Sequence, residues 1–247
     1  MKIIASDYDG TLNHGGIDDK KKAAIKKWRD SGNIFAIVTG RSPADALSIQ
    51  KKDDLKIDYF IATNGAVILT PQGERISDIR CDGEITRPIL DLLFECGCKW
   101  GCVITDFPCM IYADESSCKQ NGEYAFDNMP SVSSFNQIST ALPDYKAAEK
   151  VTAIINEKFG NFVSPLQNGN CIDIVRNDID KAKGIYLLLD ILNGKYEDVI
   201  AVGDNINDEA MIKEFRSYAM KNGVESIKEL ADNTVESVTE LIEKELE

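Results

Sequence analysis

The chain predicts an α/β fold, with a parallel sheet encoded at both ends of the sequence and a mixed α+β module inserted between them. Three observations carry that expectation. Short apolar runs alternate with amphipathic stretches in the first third and again in the last quarter, the pattern of strand–helix–strand units. The runs are apolar throughout rather than alternating, as expected for strands covered on both faces. Between residues 82 and 178 this order gives way to a helical RPILDLLFECG, a turn-rich series of strands, a helical DYKAAEKVTAIINEKFG and a strand CIDIV. The expected organisation is therefore a core of residues 1–81 and 179–247 with an insert of 82–178.

The core strands are expected at residues 3–6, 34–38, 59–62, 199–202 and 217–220. Each run meets polar residues at its end: Asp7, Thr39, Thr63 with Asn64, Asp204, and Lys221 with Asn222. Ligands of open α/β sheets bind beyond the carboxyl ends of the strands, so these side chains should converge on one edge. Helix signals fill the intervals. Asp18 or Asp19 can cap a helix running through Ala24, Ile25 and Trp28 to a stop at Gly32. Ser42 and Pro43 supply an N-cap and a first-turn proline ahead of residues 44–51. Apolar spacing places further helices over 205–215 and 235–246.

Composition narrows the function. The 247 residues include 41 acidic and 28 basic side chains, a net charge of −13, with His14 the one histidine. So negative a chain is a poor match for nucleic acid or an anionic membrane surface, both of which are held by clustered Lys and Arg. No apolar run approaches the ~20 residues that cross a bilayer, and MKIIASDYDG does not read as an export signal, so a cytoplasmic address is expected. Seven cysteines without a CxxC pair read as reduced, packed thiols instead of a disulfide framework or a zinc site. No protein partner can be inferred.

Two acidic clusters stand out. Asp7 and Asp9 lie one residue apart where the first strand ends, and Gly10 lets the chain turn sharply. Asp204 and Asp208 sit four residues apart where a later strand hands over to a helix, so a helical turn brings them onto nearly the same face. At a turn or a helix start such acids can be simple caps. Two clusters at one sheet edge repel, however, unless a cation lies between them, and carboxylate oxygens suit a hard ion such as Mg²⁺.

DYDGTL after the first strand, the Thr of IVTGR, the Lys-Gly of DKAKGIYLL, and GDNINDEAM resemble the four ordered motifs of the haloacid dehalogenase (HAD) superfamily. The insert resembles the mixed α/β cap of its Cof-type sugar-phosphatase branch, and ATNGAVI resembles an Asn-Gly segment of that branch. This resemblance implies a Rossmann-like parallel-sheet core with an inserted α+β cap, and a Mg²⁺-dependent phosphatase of small phosphorylated metabolites, sugar phosphates first among them. It implies Asp7 as nucleophile and Asp9 as general acid and base. Thr39 and Lys183 would contact the transferring phosphoryl group. Mg²⁺ would be held by the Asp7 side chain, the Asp9 backbone carbonyl, Asp204, and Asp208 directly or through water. Gly40, Arg41, Asn64 and Asn207 join Thr39 and Lys183 as candidate substrate contacts. DKAKG holds two lysines, and the adjoining Gly184 favours Lys183 over Lys181. In the insert, Trp100, Asn168 and Asn170 could face substrate or fill core and turn roles. The alternatives are a phosphosugar mutase resembling the phosphomannomutases and a phospho-accepting regulatory module.

Overall fold

A computed structural model describes residues 1–120 and 122–247. The chain divides into two units, Met1–Ser77 with Asp180–Glu247, and Asp78–Ile179. The borders expected from the sequence are 81/82 and 178/179. The short strand Cys81–Asp82 lies in the second unit because it pairs there with Ser134–Phe135, and Cys81 and Phe135 are both buried in that unit's core.

The first unit is built on an eight-stranded sheet. Its order is Asn233–Val235, Arg216–Met220, Val199–Gly203, Ile3–Asp7, Ile34–Val38, Tyr59–Ala62, Val67–Leu69 and Arg75–Asp78. The first six run parallel. The five expected core strands are present, each within a residue of its expected bounds. The sheet also holds strands the apolar runs did not announce. Val67–Leu69 turns back antiparallel on Tyr59–Ala62, and Asn233–Val235 forms the opposite edge, ending at the residue where a helix is expected to begin; that helix starts at Val238. Strands this short carry too few side chains for a period to show.

Chain order rises outward from Ile3–Asp7 on one side and from Val199–Gly203 on the other, so the two central strands flank a topological switch point. Loops leaving such a pair part to opposite faces and open a crevice between the strand ends. Ser6 lies opposite Val202, and Asp7 opposite Val38. The shared register brings Asp7, Thr39 and Asp204 to one level of the sheet.

Local chemistry starts and stops the helices as expected. Asp18 accepts the Lys21 N–H at the start of Asp19–Asp30, and Ser42 accepts the Asp45 N–H ahead of Pro43–Asp53. The helix Lys181–Leu192 begins at Asp180, whose Oδ1 accepts the Lys183 N–H. Ala182, Ile185, Leu188 and Leu189 bury its inner face against Ile61, Val199 and Ala201. The stretch expected as one helix over 205–215 is a single turn, Ile206–Asp208, followed by Glu209–Glu214.

The second unit is a six-stranded sheet ordered Val163–Asn168, Cys171–Arg176, Gln137–Ala141, Trp100–Ile104, Pro108–Tyr112 and Glu123–Ala125. Period-two alternation sends Val103, Ile111, Ile138, Ile172 and Ile174 to one face. There they pack against Ile89, Leu90 and Leu93 of helix Thr86–Glu95 and Val151 and Ile155 of Tyr145–Phe159. All seven cysteines are free thiols, and burial pushes the Cys81 thiol up to about 12. Among the described residues no helix is long and apolar enough to cross a membrane.

Gly184 sets how closely the helix Lys181–Leu192 approaches the turn after Tyr59–Ala62. A Cβ at this position would lie 2.6 Å from the Gly65 Cα and 2.5 Å from the Ile61 side chain. Alanine for glycine in a helix normally stabilises by about 1 kcal/mol. Here the collision reverses the sign, and Gly184→Ala should destabilise by about 1–3 kcal/mol. A thermal unfolding midpoint below that of the parent chain is the expected result.

Candidate active site

The site is assembled at the switch point. Asp7 ends the central strand Ile3–Asp7, and the chain then turns through Tyr8–Leu12 with Asp9 extended (φ −80°, ψ 117°) and Gly10 at φ +87°. Any side chain at Gly10 would strike the Asp204 carboxylate. Glycine is needed there both for its backbone angle and for space. Just past the end of the neighbouring strand Val199–Gly203, Asp204 accepts a 2.6 Å hydrogen bond from the Thr11 hydroxyl. Asn222, in the loop after Arg216–Met220, donates to the Gly10 carbonyl at 2.9 Å. Thr11 belongs to DYDGTL and Asn222 follows an expected strand end, so both were legible as positions, though not as contacts.

Asp7, Asp204 and Asp208 each direct a carboxylate oxygen into one cluster, with these atoms within 4.8 Å of one another. The cation among them is Lys181. Its ammonium donates to Asp7 Oδ1 at 2.6 Å and Asp208 Oδ1 at 2.5 Å, and its side chain has no exposed surface. Burial alone would lower the Lys181 pKa, but Asp208 and Asp7 outweigh it and raise it above the usual lysine value. Burial is also the largest influence on Asp7, pushing its carboxyl well above the ordinary range; Lys181 opposes the shift and Asp208 adds to it. Asp204 is raised by burial too, against the Thr11 hydrogen bond.

This arrangement corrects the expectation for Lys183. Its side chain is exposed and its backbone N–H is spent on the Asp180 cap. Residues two apart on a helix point some 200° apart, so only one of the two lysines can face the sheet. Lys181 is four, seven and eight residues before Ile185, Leu188 and Leu189, on the apolar stripe. That period was present in the sequence. Gly184 misdirected the choice, because its role is the close approach to Gly65.

Asp9 lies outside the acidic cluster. Its half-exposed carboxylate is gripped by Arg41, which donates Nε–H to Oδ2 and Nη2–H to Oδ1, both at 2.7 Å. Arg41, expected at the substrate, is thus engaged with Asp9 through two guanidinium donors. Thr39 is buried; its hydroxyl accepts the Arg41 N–H at 3.2 Å and its carbonyl accepts the Asn64 N–H at 3.0 Å. Gly40 links Thr39 to Arg41 and is half-buried, and Asn64 is fully buried in the tight turn Thr63–Gly65. Asn207 is half-buried in the turn Ile206–Asp208.

Asp208 also holds its own loop. Its Oδ2 accepts the Asp204 and Asn205 N–H groups at 2.9 and 3.1 Å, half of a capping box. In the second unit, Asn170 donates to the Leu142 carbonyl at 2.7 Å, a turn role. Trp100 and Asn168 are half-buried strand residues.

The donor set fits a divalent ion. Three acidic side chains face one ammonium in a largely buried cluster, and every donor is a hard oxygen.

A family model described as haloacid dehalogenase-like hydrolase matches residues 4–241. Among curated relatives, the phosphatase YwpJ of Bacillus subtilis is 25% identical, covering 94% of this chain and 93% of that protein. The 5-amino-6-(5-phospho-D-ribitylamino)uracil phosphatase YcsE of Bacillus subtilis is 27% identical, with 94% and 88% covered. A HAD/COF-like hydrolase structure from Plasmodium vivax superposes with a TM-score of 0.84 at 21% identity, covering 100% of this chain and 95% of that one. A family match over nearly the whole chain, on a fold shared with Cof-like members, makes this protein a member of the haloacid dehalogenase-like hydrolases.

Proposed function

We propose that this hydrolase is a Mg²⁺-dependent phosphatase of small phosphorylated metabolites, sugar phosphates being the best-supported class, working through an aspartyl-phosphate on Asp7. The observation that carries the reading is the pinned Asp7 carboxylate, one oxygen held by a fully buried Lys181 beside an acidic cluster that calls for a divalent ion. Curated relatives named as phosphatases, and a fold shared with a HAD subclass IIB sugar phosphatase (TM-score 0.79, 19% identity, 99% and 98% covered), support it.

Asp7 and Asp204 would hold Mg²⁺ through side-chain oxygens, with the Asp9 carbonyl completing the set. Asp208 has both oxygens occupied by Lys181 and backbone N–H groups, which favours contact through water. The bound ion would supply positive charge to the phosphoryl oxygens.

The chain's own residues account for the remaining chemistry. An Asp7 oxygen attacks phosphorus as the ester P–O bond breaks, and the leaving oxygen takes a proton from Asp9. Asp9 then takes a proton from water as that water's oxygen attacks phosphorus, returning Asp7 as carboxylate and releasing inorganic phosphate. Lys181 keeps Asp7 oriented and offsets charge at the site, and the Thr39 hydroxyl would donate to the phosphoryl oxygens. Thr39 and Lys181 therefore take the roles expected of Thr39 and Lys183.

A screen of phosphorylated metabolites with Mg²⁺, read by inorganic phosphate release, tests the reading and finds the substrate. Phosphoryl transfer to a second sugar hydroxyl without phosphate release would instead identify a mutase. Asp7→Asn should lower turnover at least about a thousandfold while circular dichroism stays that of the folded chain. Turnover near the parent rate would remove Asp7 as nucleophile. Lys181→Met should cost about 10²–10³-fold in kcat, the scale of losing one preorganised charge. Lys183→Met should stay within about twofold, as at a solvated surface position. EDTA should abolish phosphate release and added Mg²⁺ restore it; full activity in EDTA would eliminate the ion.

A further inference from the structure

Lys221 and Asn222 follow the strand Arg216–Met220 on the sheet edge that carries Asp7 and Asp204, and the phosphoryl chemistry uses neither. The loop they begin is pinned along its length. The Lys221 N–H donates to the Val235 carbonyl on the outer strand Asn233–Val235, and the Gly223 N–H to the Met220 carbonyl, both at 2.9 Å. The Val224 N–H donates to the Asp204 carbonyl, also at 2.9 Å. A Cβ at Gly223 would lie 2.8 Å from that same carbonyl oxygen and 3.0 Å from the Asp204 Cα, so glycine lets the loop lie directly on the Asp204 backbone. From this support Asn222 reaches past the end of Val199–Gly203 to the turn after Ile3–Asp7, where its Nδ2 donates to the Gly10 carbonyl at 2.9 Å.

The contact falls where the turn most needs one. Glycine has the freest backbone of any residue, and Gly10 separates the Asp9 carbonyl from Thr11, whose hydroxyl holds Asp204 Oδ1 at 2.6 Å. A swing of the Gly10 peptide would move the Asp9 carbonyl relative to the Asp204 carboxylate. The Asn222 amide fixes that peptide, and its own loop is fixed to Asp204 through Val224. One short segment thus ties together the two halves of the acidic edge, one supplied by Ile3–Asp7 and the turn after it, the other by the residues after Val199–Gly203. Mg²⁺ demands near-ideal octahedral geometry at about 2.0–2.1 Å, so the spacing of ligands drawn from two strands bears directly on affinity. We propose that Asn222 is a positioning residue for the divalent ion, setting the Asp9 carbonyl against the Asp204 carboxylate through its hydrogen bond to Gly10. The assignment rests on the ion site of the phosphatase reading and adds to it a residue outside the four motifs.

Calorimetric titration of Mg²⁺ into the full chain, first freed of divalent ions, tests the assignment without substrate. Asn222→Ala should bind Mg²⁺ about three- to tenfold more weakly than the parent chain, the scale of one hydrogen bond's net contribution. Asn222→Leu keeps the bulk but lacks the donor, so it should weaken binding to the same degree, and it serves alone if the alanine variant does not fold. Turnover of 4-nitrophenyl phosphate gives a second readout. The Mg²⁺ concentration at half-maximal rate should rise by the same factor, so that the loss is greatest at limiting Mg²⁺ and shrinks toward saturation. A general weakening of the fold would instead depress the rate equally at every Mg²⁺ concentration, and that result would overturn the proposal. Parent affinity for Mg²⁺ in both variants would overturn it as well. A parent chain that binds no Mg²⁺ would overturn the ion site and this assignment with it. Weaker Mg²⁺ binding by the variants of a chain that hydrolyses no phosphate ester would support the assignment and overturn the phosphatase reading alone.

Discussion

A lysine ammonium with no contact with solvent, held between two carboxylates, is the constraint around which the first unit is arranged. Withdrawing charges from water costs several kcal/mol per ion, and removing one partner of such a pair costs about 3–5 kcal/mol, because the remaining charge stays buried. Lys181, Asp7 and Asp208 are therefore mutually dependent, although they come from a helix, a strand and a turn far apart in the chain. The helix must present its first residue to the sheet edge, which requires the apolar stripe beginning at Ile185 and the close contact of Gly184 with Gly65. The turn after Val199–Gly203 must hold Asp208 inward, which its backbone acceptors accomplish. Even so, one ammonium faces three acidic side chains, a group whose oxygens could hold a metal ion as well as make a fold contact.

Sheet topology decides where this charge can accumulate. The central strands Ile3–Asp7 and Val199–Gly203 are buried on both faces, and their apolar side chains cannot satisfy a carboxylate. Polar residues are admitted only where the strands end. At a switch point the following loops diverge, so the ends of adjacent strands remain open to a ligand. Two acids that sequence separates by almost two hundred residues thus become neighbours through strand pairing alone.

That logic explains what could be read from the chain. Apolar runs ending in Asp7, Thr39 and Asp204 disclosed the strands, their parallel sense and the edge at which the site lies, because burial on both faces leaves a one-dimensional mark. Caps at Asp18, Ser42 and Asp180 are likewise local. Lys181 was legible too, but only to a reading of helical period; adjacency to a glycine pointed to Lys183. The antiparallel return at Val67–Leu69 and the edge at Asn233–Val235 are too short to show a period. The grip of Arg41 on Asp9 was hidden for another reason. It depends on the direction of two side chains across a loop, and spacing contains no such information.

The turn Thr63–Gly65 shows how firmly those loops are fixed. Thr63 has φ +48° and Asn64 φ +52°, the left-handed region that a β-branched residue avoids. Strain of this kind costs about 1–3 kcal/mol per residue and persists only where the surroundings over-determine it. Here the Thr63 and Asn64 N–H groups donate to the Arg41 and Thr39 carbonyls, so the strained conformation ties the turn to the loop that carries both groups. The helix Lys181–Leu192 closes the other side of the turn through Gly184 and Gly65. Relaxing Thr63 would release Thr39, Arg41 and, through Arg41, the Asp9 carboxylate together. One local distortion therefore holds Thr39 and the Arg41–Asp9 pair in a fixed relation.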